Sequence, residues 1–181
     1  MAAPVDKSAI KALQVEAYDA AREGLRSGDL VFCSGSYFFS GLIQKFTRSV
    51  WSHVGVVYRD DNLQRIFVLE SETMIGVRLV PMSKYLRDYH GRNRPYKGQI
   101  VVGRVAPDLD ATRVRQAISF GMDELTRPYD NREILRIAMR ILFKRCRKNR
   151  DRKYICSELV YEAFRKADIG FKFHRDSISP D

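Results

Sequence analysis

The sequence predicts an α+β domain, and three observations carry that expectation. Two neighbouring segments alternate apolar and polar residues with a period of two, across a charged turn. Other segments repeat apolar residues at helical spacing. The two kinds are mixed without the regular βαβ alternation of a parallel, doubly wound fold. At 181 residues and 45% hydrophobic content the chain can bury one sizeable core, so a single domain over 1–181 is expected. No internal repeat or low-complexity linker divides it.

Taken in order, Asp6 to Leu25 reads as a helix, with Ile10, Leu13, Ala17, Ala20 and Ala21 near one face and Gly24 and Gly28 around its end. Asp29 to Cys33 is a short strand, and Ser34-Gly35-Ser36 a turn that could cap a helix from Tyr37 to Phe46. Trp51 to Tyr58 is a strand, because Val54, Val56 and Tyr58 alternate with His53, Gly55 and Val57. After the turn Arg59-Asp60-Asp61-Asn62, a second strand runs from Arg65 to Ser71. Gly76 to Val80 is a further short strand, and Pro81 suits the start of a helix carrying Tyr85 and Leu86. Gln99 to Val105 is an apolar strand. Pro107 to Leu125 is a helix with Val114, Ala117, Ile118 and Gly121 inward. From Cys156, the apolar positions Leu159, Val160, Ala163, Phe164 and Ala167 mark a buried helix.

The net charge of +10 is uneven. The segment 134–153 holds Arg136, Arg140, Lys144, Arg145, Arg147, Lys148, Arg150, Arg152 and Lys153 against Asp151 alone. Its first part, Ile134 to Phe143, reads as an amphipathic helix and its second as a solvated loop. Such a unit suits an anionic membrane surface or an acidic partner, and equally a plain solvated face. Nucleic acid is a weak alternative, since no zinc finger, RNA-binding strand pair or helix-turn-helix is evident. No run reaches transmembrane length. Three cysteines, Cys33, Cys146 and Cys156, do not form a disulfide framework. With no secretory pattern at Met1 to Lys7, a reducing compartment is expected, the cytoplasm, with non-classical delivery left open.

The chemistry concentrates on three residues. Cys156 falls in the first turn of its helix, where free N–H groups and the helix dipole favour a thiolate. His53 is one ionisable imidazole in an apolar strand. A near-symmetric hairpin would bring Glu70, near the end of the next strand, close to it across the ladder. Glu70 would then hold the imidazole tautomer while the other ring nitrogen faces Cys156. Each residue alone also has a structural reading: a packed thiol, a core histidine, a solvated carboxylate. A metal site from Cys33, His53 or Cys156 lacks the spacing of compact zinc motifs.

Several segments together resemble the circularly permuted, papain-like NlpC-type cysteine hydrolases, the YiiX/YebB-like group. They are Gly28-Asp29-Leu30-Val31-Phe32, Ser52-His53-Val54-Gly55-Val56-Val57, Val68-Leu69-Glu70-Ser71, Pro128-Tyr129-Asp130 and Tyr154-Ile155-Cys156-Ser157-Glu158-Leu159-Val160. The cysteine follows the histidine, as the permuted group requires. The resemblance implies a small central antiparallel sheet with the nucleophile helix packed on it, and no cofactor. It implies Cys156 as nucleophile, His53 as general base and Glu70 as orienting group, acting on amide or ester bonds through a thioester. Cell-wall peptides and acyl lipids are both substrates of such proteins and their relatives. The open readings are therefore an amide-cleaving peptidase or amidase, a lipid-directed acyltransferase or thioesterase, and a binding domain of the same fold. The basic segment from Arg136 to Lys153 departs from the commonest pattern of the group.

Overall fold

The structure is a computed structural model that describes residues 6–47, 49–73, 75–105, 109–129 and 155–170. A five-stranded antiparallel sheet forms its centre, in the order β4-β3-β2-β1-β5. The strands are β1 (Leu30–Gly35), β2 (His53–Asp60), β3 (Arg65–Glu72), β4 (Gly76–Pro81) and β5 (Gly98–Gly103). The helices are α1 (Lys7–Ala12), α2 (Tyr18–Ala21), α3 (Phe38–Thr47), α4 (Met82–Arg87), α5 (Ala111–Asp123) and α6 (Cys156–Lys166). The α+β expectation holds, and all strand pairs are antiparallel.

Strand alternation builds two cores. On one face Leu30, Val54 and Val56 meet Val114, Ala117 and Ile118 of α5 and Val160, Ala163 and Phe164 of α6. Leu69 and Val77 extend that side against Leu159. On the other face Val31, Cys33, Val57 and Val68 pack under Met82 and Tyr85 of α4 and Tyr96. Leu159 and Phe164 are each 1% exposed. Burial of each contributes about 1.5–3 kcal/mol to holding α6 on the sheet. The α6 periodicity read from the sequence is thus the surface that positions Cys156.

The first helix differs from expectation. Asp6 caps α1 through the Ala9 N–H, but the helix ends at Ala12, with Leu13 extended. The chain turns helical again only over α2, followed by a single 3-10 turn, Arg22–Gly24. Ile10 is the one buried residue of α1, while Leu13 and Val15 are 51% and 94% exposed. Without an apolar face to bury, propensity alone does not sustain a long helix. Other boundaries shift by a few residues. The expected turn at Ser34 and Gly35 is the end of β1, and α5 starts at Ala111, capped by the Asp110 side chain, rather than at Pro107.

Candidate functional site

Four chain segments meet at one end of the sheet: the start of β2, the end of β3, the start of β4 and the start of α6. Ser52 fixes where β2 begins. Its N–H and hydroxyl both donate to the Cys33 carbonyl, at 2.9 and 3.1 Å, and its Oγ accepts from the Gly35 N–H at 3.1 Å. His53 follows at once, opposite Cys33.

His53 Nε2 lies 2.6 Å from Glu70 Oε2. The geometry differs in one respect from a symmetric hairpin. The ladder pairs Val56 with Leu69 and Val57 with Val68, so continuing it sets Gly55, not His53, opposite Glu70. The imidazole therefore reaches its carboxylate diagonally. Gly55 leaves the room: a Cβ there would stand 2.6 Å from Val68 Cγ1 and 3.3 Å from Glu70 Cβ.

Glu70 is fully buried. A buried carboxylate is tolerated only when its oxygens are satisfied. Oε1 accepts from Arg78, at 2.7 Å from both Nε and an Nη atom. Oε2 accepts from the Tyr85 hydroxyl as well as facing His53. Arg78 is the cross-strand partner of Glu70 on β4, and Tyr85 reaches in from α4. Burial pushes the carboxyl up, but the His53 charge and hydrogen bond, the Arg78 charge and the Tyr85 hydroxyl hold it at about 2. Burial likewise pulls the His53 imidazolium down. The Glu70 charge, then the hydrogen bonds to Cys156 and Glu70, outweigh it and raise His53 to about 10.

Cys156 is the first residue of α6 and is 4% exposed. Its side chain is hydrogen-bonded to His53, and Nδ1 is the ring nitrogen left for it. Burial pushes the thiol up. The His53 hydrogen bond and charge, then the N–H groups of Val54 and Ser157, overcome this and hold it below the ordinary thiol range. Ser157 supplies its backbone N–H from the first turn of α6. The Ile155 N–H donates to Glu158 Oε2 at 3.4 Å, steadying that turn. Cys33 makes the contrast. It is fully buried, and burial, with the Glu70 and Cys156 charges, pushes its thiol well up. The surroundings favour the thiolate at one sulfur and the neutral thiol at the other.

The structure thus brings together the three residues singled out from sequence. Arg78 and Tyr85, which hold Glu70 ionised, were not among them. Nor was Tyr129, whose hydroxyl is hydrogen-bonded to both the backbone and the side chain of Cys156. The only available signal for Arg78 was indirect: a carboxylate in an apolar strand needs a cation, and Arg78 lies one hairpin away. The basic segment 134–153, including Arg136, Arg140, Lys144, Arg145, Arg147 and Lys148, and Cys146 lie outside the described residues.

A helix-borne cysteine packed on an antiparallel sheet, with histidine preceding it in the chain, defines the class of permuted papain-like proteins. Residues 24–176 match the family of permuted papain-like amidase enzymes, YaeF/YiiX, C92, and the chain belongs to that family of cysteine-dependent hydrolases. Among solved structures, it is similar to the metalloprotein yiiX from Escherichia coli O157:H7, with a TM-score of 0.58 and 21% identity. That likeness covers 78% of this chain and 66% of the other, so the chain spans just under two thirds of that protein. No curated protein matches.

The word metalloprotein describes that protein. In this chain, no group of three or more His, Cys, Asp or Glu among the described residues is arranged to hold a metal ion. Glu70 spends both oxygens on protein donors, and His53 is engaged by Glu70 on one side and Cys156 on the other. His53 and Glu70 do not fit a metal centre in this arrangement.

Proposed function

We propose that the protein cleaves an amide bond through a covalent thioester on Cys156, as a peptidase or amidase. The observation that supports this best is the placement of His53 between a fully buried, doubly anchored carboxylate and the sulfur at the start of α6. With His53 raised and Cys156 lowered, the pair is biased towards imidazolium and thiolate. The thiolate attacks the carbonyl carbon, a carbon–sulfur bond forms, and the carbonyl π pair moves to oxygen. The Cys156 N–H would donate to that oxyanion. As the intermediate collapses, the carbon–nitrogen bond breaks and His53 gives its proton to the leaving amine. His53 then takes a proton from water, which attacks the thioester and releases the acid and the sulfur. Glu70 stays ionised throughout, holding the ring in place.

Peptides, including cell-wall peptides, are the substrate class proposed. Incubation with peptidoglycan-derived peptides should release new amino groups in proportion to enzyme, and Cys156→Ala should release none. Equal release by both proteins would reject the assignment. The competing reading is a lipid-directed acyltransferase or thioesterase, favoured by the basic, amphipathic run from Ile134. Sedimentation with anionic vesicles tests it: failure to co-sediment removes the membrane reading. The expected working compartment is the cytoplasm, and localisation of a tagged full chain checks it.

A further inference from the structure

We propose that the end of α4 and the loop leading to β5 select the substrate: Arg87, Arg92, Arg94 and Lys97 dock the carboxylates of an acidic peptide beside the catalytic end of the sheet. This inference rests on the amide-hydrolase reading above and deepens it by naming the substrate class.

The loop is held in one shape. The Asn93 N–H donates to Asp88 Oδ1 at 2.8 Å, the Tyr89 N–H to the Arg94 carbonyl at 2.8 Å and the Tyr96 N–H to the Tyr85 carbonyl at 2.6 Å. His90 and Asn93 sit in the left-handed region, at φ +58° and +50°. The rings of Tyr89 and Tyr96 anchor the loop on Tyr85, with centroids 5.0 and 5.8 Å from it. Two contacts place it against the catalytic residues. Tyr85 donates to Glu70, and His90 Nε2 lies 3.8 Å from Glu72 Oε1. Glu72 is two residues beyond Glu70, on the same face of β3. The loop is therefore a rim of the catalytic end.

What the rim presents is positive charge. Arg87, Arg92, Arg94 and Lys97 are exposed and have no hydrogen-bond or ion-pair partner among the described residues. Elsewhere arginines are paired: Arg59 with Asp61 at 2.7 Å, Arg104 with Asp29 at 2.7 Å and Arg165 with Glu162 at 2.6 Å. Asp88, the one carboxylate of segment 84–97, is taken up by Lys84 and the Asn93 N–H. A membrane site needs apolar side chains among its cations. The exposed large apolar residues Leu13, Val15, Leu63 and Ile75 all lie outside this segment. Single-stranded nucleic acid needs an exposed aromatic platform. Here Tyr85 and Tyr96 are buried, and Tyr89 is half-buried with its ring against His90. Carboxylates suit guanidinium forks directly, and a peptide is what the neighbouring thiolate would cleave. A loop already shaped loses little freedom when such a chain docks.

The test uses the full chain and a fluorescein-labelled peptide with a central block of glutamates, flanked on both sides by glycine and alanine. The same peptide with glutamines is the control. Fluorescence anisotropy reads binding. The slowing of Cys156 alkylation by iodoacetamide reads whether the bound peptide covers the site. Slowing is the ratio of rates without and with peptide in one protein, so a change in intrinsic reactivity cancels. The parent should bind the glutamate peptide more tightly than the control, less so as salt is raised, and saturation should slow alkylation. In the double variant Arg92→Gln/Arg94→Gln, affinity for the glutamate peptide should fall about twofold to thirtyfold, the worth of two exposed ion pairs. A fall of less than about twofold overturns the proposal. So does equal binding of the two peptides by the parent, or a bound glutamate peptide that leaves alkylation unslowed. If the variant keeps the peptide and instead loses phosphatidylglycerol vesicles or single-stranded DNA, the rim serves a membrane or a nucleic acid and the proposal falls. A parent whose Cys156 never alkylates fails at the hydrolase reading, and the proposal goes with it. A parent that alkylates but ignores the glutamate block fails at the proposal alone.

Discussion

Replacing Glu70 with Gln tests how the charge state of the site is set. The substitution keeps the side chain's shape and removes one negative charge at a position with no solvent exposure. In the parent, burial opposes the imidazolium, and the Glu70 charge is the largest influence raising His53 to about 10. Without it burial prevails, and His53 should titrate at or below its ordinary 6.5. The alkaline limit of the ion pair then moves down by about three pH units or more. Cys156 loses the cation that holds it down, while burial continues to push it up from 9.0. At pH 7 a thiol of that kind is ionised about one time in a hundred or less. A lower-pKa thiolate is intrinsically less nucleophilic, which offsets part of the parent's advantage. The expected loss in alkylation rate at pH 7 is therefore about tenfold to a hundredfold. The assay is iodoacetamide alkylation across pH 4 to 11, read by intact mass, with Cys156 assigned by peptide mapping and folding checked by near-ultraviolet circular dichroism. A folded Glu70→Gln protein with the parent's rate and pH profile would refute the reasoning.

Other outcomes follow from the same structure. Cys156→Ala should abolish turnover while leaving the free energy of unfolding in urea within about 1 kcal/mol of the parent, because little volume is lost. Leu159→Ala removes a side chain 1% exposed between α6 and the sheet, and should destabilise by about 2–5 kcal/mol in urea unfolding. Stability should also fall on acidification. Glu70 is depressed from 4.5 to about 2, so its contribution is present above 4.5 and lost as pH falls through 2. At about 1.4 kcal/mol per tenfold change in proton affinity, that contribution is about 3 kcal/mol, and it should be missing from the acid limb of Glu70→Gln.

Much of this fold is legible where burial is periodic. Leu159, Val160, Ala163 and Phe164 mark α6, and Val114, Ala117, Ile118 and Gly121 mark α5; all are buried in the structure. The hairpin around Asp60 is legible because β2 and β3 alternate around a charged turn. The N-terminal segment is misread because five small or apolar residues at helical spacing resemble a buried face, yet among the described residues Leu13 stays half-exposed and Val15 almost fully exposed. At the site, His53, Glu70 and Cys156 stand out because each is a polar group in apolar surroundings. Their diagonal pairing does not, since it depends on a register displaced by two residues. Arg78 and Tyr85 are hidden for a related reason. Their roles arise from strand order and from the packing of α4 back on the sheet, and neither leaves a periodic trace.

The most direct measurement is rapid acid quench of the protein with 4-nitrophenyl acetate, followed by intact-mass analysis and peptide mapping. One acetyl group per chain, on Cys156, hydroxylamine-labile and absent from Cys156→Ala, is the expected result. An acetyl group found elsewhere, or turnover of the ester by folded protein with Cys156 never modified, would contradict the assignment of that sulfur as nucleophile.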